Sequence, residues 1–140
     1  MSGSNDTPND GAEEERATKV RRLNEKAHAL GILADEMVNL LTHHNELNWA
    51  EIFAKFARDI RSAQTDKARR SAIGYINSIY GGMGSWNDFY LHGFGEPEER
   101  RSSLGYRIQT DSNAMLDDMD TGIQETPRSL WQSLMEFLRK

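Results

Sequence analysis

The chain of 140 residues has no cysteine. Disulfides, thiolate metal sites and cysteine nucleophiles are thereby excluded together, and the composition predicts a cytosolic address. It also lacks any run approaching the roughly 18–20 continuous apolar residues of a membrane span. Residues 1–11 are polar and acidic, without the basic start and apolar centre of a signal peptide. A strongly basic balance is missing too: the net charge is −5 and the pI about 5.4. Nucleic-acid binding calls for a pI above about 9 and clustered bases, so no nucleic-acid partner is expected. Alternating strand patterns are short, and no internal repeat is evident.

What remains is a soluble helical pattern with an uneven charge distribution. Residues 1–15 hold five acids (Asp6, Asp10, Glu13, Glu14, Glu15) and no base. Beyond them, residues 16–70 carry an excess of bases and residues 71–140 an excess of acids. Such asymmetry can steer a partner, or the two halves can fold against each other. Residues 1–14 are too poor in apolar side chains to offset ordering entropy and are expected to be a disordered acidic tail. Residues 15–140 then form one domain, which suits this length.

A first helix is predicted from near Glu13–Arg16 to His44–Asn45. Its apolar positions are Leu23, Ala27, Leu30, Ala34, Met37 and Leu41, spaced four, three, four, three, four. That is one helical stripe, and its heptad character also makes it a candidate homodimer seam. A second helix follows with Asn48 as N-cap and Glu51 completing a capping box, burying Trp49, Ile52, Phe53, Phe56 and Ile60. A third is expected over 66–80, capped by Asp66. Residues 81–110 then read as a turn, a short helical segment and an irregular excursion, followed by a weak helix near 113–119. The last helix is predicted over 126–138, with Thr126 as cap and Pro127 at its first position. The fold class is all-α, a compact bundle of four to five helices.

The most distinctive stretch is Gly81-Gly82-Met83-Gly84-Ser85-Trp86-Asn87-Asp88. Gly81 can adopt positive φ and close the third helix, while Ser85 with Asp88 signals a new capped turn. Gly81, Gly82, Met83, Gly84 and Ser85 are therefore assigned a structural role. The same turn could offer backbone N–H groups to an anion, but it follows a helix and lacks the Gly-Lys-Ser/Thr ending of a phosphate loop. Its third use would be to display Trp86, Asn87 and Asp88 to a protein partner. Together with Asn48-Trp49-Ala50, the octapeptide resembles a family of small bacterial proteins of unknown function. Those share a Trp-Ala near the start of one helix and a Gly-Gly-Met-Gly-Ser-aromatic/Leu-Asn-Asp signature at the end of the next. The resemblance covers roughly residues 35–92. It implies family membership but no chemistry; in size and style such proteins resemble immunity proteins.

Other constellations carry less. Glu36 stands seven and eight residues from His43 and His44, not the three or four of a one-helix metal site, and Glu46 falls beyond the expected helix end. Asp111, Asp117, Asp118 and Asp120 fail the calcium-loop register. No Gly-x-Ser-x-Gly elbow occurs. No metal, cofactor or catalytic residue is assigned, and the enzyme question stays open. The expected function is an intracellular protein-binding module of the immunity or adaptor type, contacting a partner, such as a basic toxin, through Trp86, Asn87, Asp88, Glu96, Glu98 and Glu99. The alternatives are a small-ligand or enzymatic domain using the 81–88 turn, and a self-associating helical protein.

Overall fold

The computed structural model describes residues 8–81, 84–91, 95–120 and 138. Four α-helices occur among them: α1 (Pro8–His43), α2 (Leu47–Ser62), α3 (Asp66–Asn77) and α4 (Glu96–Asp120). A 3₁₀ turn, Trp86–Asp88, lies between α3 and α4. No strand occurs among the described residues. The all-α expectation holds. Gly82, Met83 and, apart from Leu138, the helix expected over 126–138 lie outside the described residues.

Every member of the predicted α1 stripe is buried. The stripe faces α2 and α4 of its own chain, which excludes it as a dimer seam. α1 ends in a tight motif. Asn45 takes φ +61°, a left-handed conformation that asparagine tolerates. Glu46 N–H then donates to Leu41 O (2.8 Å) and Asn45 N–H to Thr42 O (3.0 Å), satisfying carbonyls that the helix end leaves free. This closure turns the chain sharply into α2, so α1 and α2 form an antiparallel hairpin. α2 buries Ala50, Phe53, Phe56, Ala57 and Ile60, while Trp49 and Ile52 are half-buried.

Cross-helix contacts fix the remaining directions. Glu36 pairs with Arg100 and Lys26 with Asp118, so α4 runs antiparallel to α1. Arg70–Asp120 and the Asn77–Asn113 hydrogen bond make α3 and α4 antiparallel as well. Two of these pairs, Lys26–Asp118 and Arg70–Asp120, join bases of the 16–70 segment to acids of the 71–140 segment. Part of the charge asymmetry is therefore internal complementarity.

Several boundaries differ from the sequence expectations. α1 begins at Pro8, so residues 8–14, expected in a disordered tail, are helical. Proline suits a helix's first position and the following acids suit its positive end, and these signals outweigh the polar composition. α2 starts at Leu47 after Glu46, with no side-chain cap, so Asn48 lies inside the first turn. Asp66 is likewise inside α3. Thr65 is the cap, accepting from Ala68 N–H at 3.1 Å.

The largest correction is α4. The expected irregular excursion is a 25-residue helix whose inward face holds Arg101, Leu104, Gly105, Ile108, Ser112, Met115 and Met119. A charged and two small residues interrupt the apolar stripe, which conceals its period. Glycine at 105 permits close approach: a Cβ there would stand 2.7 Å from Trp86 Nε1. At Gly31 of α1 the nearest atom is instead Arg61 Nε at 2.6 Å, on a side chain that can swing into solvent. Gly105→Ala is therefore expected to destabilise by about 1–3 kcal/mol through overpacking. Gly31→Ala should be neutral or stabilising by up to about 1 kcal/mol, from helix propensity. Urea unfolding followed by circular dichroism measures both. Equal effects would contradict the assigned packing.

Candidate functional site

The chain between α3 and α4 is shaped by its glycines and hydroxyls. Gly81 has φ +103° and Gly84 φ +78°, conformations that disfavour any side chain. Ser85 Oγ accepts from Asn87 N–H (3.3 Å), and Asp88 Oδ2 accepts from Gly84 N–H (2.9 Å). This is the expected reciprocal capping, with the acid reaching one residue further back. Trp86 N–H donates to Ile79 O (2.9 Å), fastening the turn to the end of α3.

The turn drives Trp86 into the bundle, where it is 3% exposed. Its ring packs edge-on to Trp49 (5.0 Å between centroids) and Phe53 (4.8 Å), and is tilted against Phe89 (5.4 Å). Arg101 of α4 lays its guanidinium over Trp86 at 4.6 Å and over Phe89 at 5.2 Å. Such stacking is favourable when the cation is desolvated. Glu98 completes the arrangement by accepting from Arg101 Nε and Nη2, each at 2.7 Å. Its Oε1 also accepts from Leu91 N–H at 2.7 Å, tying the segment after the turn to α4. The Arg101 hydrogen bonds hold the Glu98 carboxyl below its ordinary pKa, against the opposing effect of burial. Tyr80 donates its hydroxyl to Gly105 O (2.8 Å). Burial pushes its pKa upward, with the nearby Arg101 charge opposing.

Above this locked assembly lies an open groove of about 210 Å³ between the turn and α4. Trp86, Tyr80, Arg101 and Gly105 line its base, and Asn87, Ser102, Tyr106 and Gln109 complete the lining. Residues 96, 99, 102, 106 and 109 follow helical spacing, so Glu96, Glu99, Ser102, Tyr106 and Gln109 form one stripe along α4.

The expected contact residues therefore separate. Asn87, Asp88, Glu96 and Glu99 are exposed. Trp86 is not displayed, because the aromatic cluster encloses it. Glu98 is engaged internally, its carboxylate spent on Arg101 and Leu91. Tyr80, Arg101, Ser102, Tyr106 and Gln109 were not singled out as site residues by the sequence. The Glu98–Arg101 spacing of three was the available signal, hidden in a run that reads as solvated charge.

Among the described residues no group of three or more His, Asp or Glu side chains converges on a metal-sized site. His43 and His44 instead stack edge-on (5.3 Å), and Asp118 and Asp120 pair with Lys26 and Arg70. No described helix is long and apolar enough to cross a membrane.

A family model for a domain of unknown function (DUF6966) matches residues 42–98. The matched stretch holds Trp49, Phe53, the whole glycine turn, Phe89 and Glu98, and stops three residues short of Arg101. It covers less than half of the chain. No curated protein and no solved structure matches.

Proposed function

We propose that the protein is an intracellular protein-binding module of the immunity or adaptor type, acting in a bacterial cytoplasm on a basic partner. The observation that carries this reading is the small groove set between the glycine turn and the α4 stripe. A rigid base of Trp86, Arg101 and Glu98 supports exposed groups of several kinds: an amide at Asn87, a phenol at Tyr106 (69% exposed), and carboxylates at Glu96 and Glu99. Tyrosine on a preorganised surface contributes contact area at low entropic cost and recurs among binding hot spots. The groove is smaller than the roughly 300–1,000 Å³ of small-molecule sites, and suits one inserted side chain of a partner better than a free ligand. The flanking carboxylates favour a basic partner and raise its association rate.

The test is affinity purification of the tagged full chain at low and moderate salt, alongside a Glu96→Lys/Glu99→Lys variant and Tyr106→Ala. A stoichiometric basic partner should be retained by the unmodified chain. Its association rate should fall at least about tenfold with the charge reversal. Circular dichroism of both variants should be unchanged. Retention insensitive to salt and to all three substitutions would refute this face.

A further inference from the structure

Among the described residues, the N-terminal third of α1 contributes no side chain to the buried core. None of residues 11–22 is buried, and the first buried side chain is Leu23. Toward this end, Asn24 accepts a hydrogen bond from Arg69 of α3, and Lys26 pairs with Asp118 of α4. The segment before them is about 18 Å of helix. A helix of that length is marginal in water without packing.

Its sequence is ordered in a way that packing on a second copy would use. Glu13, Ala17, Val20 and Asn24 recur at spacings of four, three and four and share one face. Val20 is 48% exposed, and Ala17, Val20, Arg21 and Asn24 line an open, mostly apolar groove along this helix. Acids precede bases: Glu14 lies seven residues, about two turns, before Arg21 on the same flank of that face. Parallel pairing of two such helices would oppose acid to acid and base to base. Antiparallel pairing about a two-fold axis near residues 17–18 brings Glu14 of each chain opposite Arg21 of the other. That arrangement is self-complementary, closes at two copies and leaves no further surface of the same kind.

We propose that residues 11–24 form the self-association surface of the protein, an antiparallel pair of α1 segments centred on Ala17 and Val20 and selected by the Glu14–Arg21 charge pairs. The surface is separate from the groove at the glycine turn, so either can fail without the other. The apolar seam is short, so the pairing depends on charge and weakens with salt.

Light scattering on the full chain should give twice the chain mass of 16.0 kDa at low salt, falling toward one chain as salt rises. Glu13→Lys/Glu14→Lys and Arg21→Glu should each be monomeric. Mixing the two should restore a two-chain species, because position 14 of each chain then again faces a charge of opposite sign at position 21 of the other. Recovery on mixing also shows that neither variant is merely misfolded. The chain has no cysteine, so Ala17→Cys should cross-link rapidly to a second copy near the axis, whereas Gly11→Cys, far from it, should not. A single-chain mass under all conditions would overturn the proposal. A dimer indifferent to both charge sets would overturn it too.

Discussion

Trp86→Ala is expected to remove about 3–5 kcal/mol of stability, the range for deleting a large buried aromatic. A small domain holds only about 5–15 kcal/mol, so this single change brings the chain close to unfolding at ambient temperature. The site has little means of collapsing into the space. Trp49 and Phe53 are carried by α2, and Phe89 is held through the Glu98–Leu91 contact. Gly105 contributes no side chain that could move in. Loss of the indole also strips one aromatic partner from Arg101, a cation only 6% exposed. Trp86→Phe should cost less, since a ring remains beneath the guanidinium. The residual gap then faces Gly105, so adding Gly105→Ala to Trp86→Phe should be better tolerated than the sum of the single effects. Denaturant unfolding by circular dichroism gives each value. Tyr106→Ala, on the open side of the groove, serves as the surface reference and should stay within about 0.5 kcal/mol. A comparable loss at both positions would mean that Trp86 is not the keystone of the turn.

The legible parts of the fold were those in which one physical signal acted alone. Leu23, Ala27, Leu30, Ala34, Met37 and Leu41 announce α1 because an unbroken apolar stripe has no competing interpretation, and all six are buried. Gly81 announces the end of the α3 region because positive φ is costly for other residues. α4 was illegible for the opposite reason. Its inward positions run Leu104, Ile108, Ser112, Met115, Met119, and the small serine breaks the apolar series at its centre. The N-terminal signals of α4 were present all the same: Pro97 in the first turn, with Glu96, Glu98 and Glu99 beside the positive helix end. Those acids were assigned together to a partner-facing surface because composition does not distinguish a charge that faces outward from one that faces an internal cation.

The site was legible to a similar, partial degree. The glycine turn, its Ser85 cap and the role of Asp88 follow from local backbone chemistry. The destination of Trp86 depends on contacts with α2 and α4, residues remote in sequence, and local spacing carries no information about them. Glu98 shows the same division. It neighbours Glu99 in the chain, yet one carboxylate is sequestered by Arg101 while the other lies on the exposed stripe. Helical geometry separates them by about 100°.

That division makes Glu98 the position where charge matters most. Glu98→Gln keeps the size and an acceptor for Leu91 N–H, but leaves Arg101 as a buried cation without its counter-charge. Breaking a buried pair from one side costs about 3–5 kcal/mol, and the aromatic faces over which Arg101 lies favour the lower end. Replacing both partners, Glu98→Gln with Arg101→Met, should recover much of the loss, because no unpaired charge is then buried. Glu99→Gln, one residue away and exposed, should change stability little. The pH dependence has a determined sign. The folded-state pKa of Glu98 lies below its ordinary value of 4.5. Its contribution is therefore fully present above that value and is lost as pH falls below 4.5 through the lower folded-state pKa. The unmodified protein should lose Tm across that interval, and Glu98→Gln should lack this component, so the two curves converge in acid. Parallel curves would mean that the Glu98–Arg101 pair does not hold the turn against α4. The groove would then have no rigid base, and the basis for a preorganised docking face would fall with it.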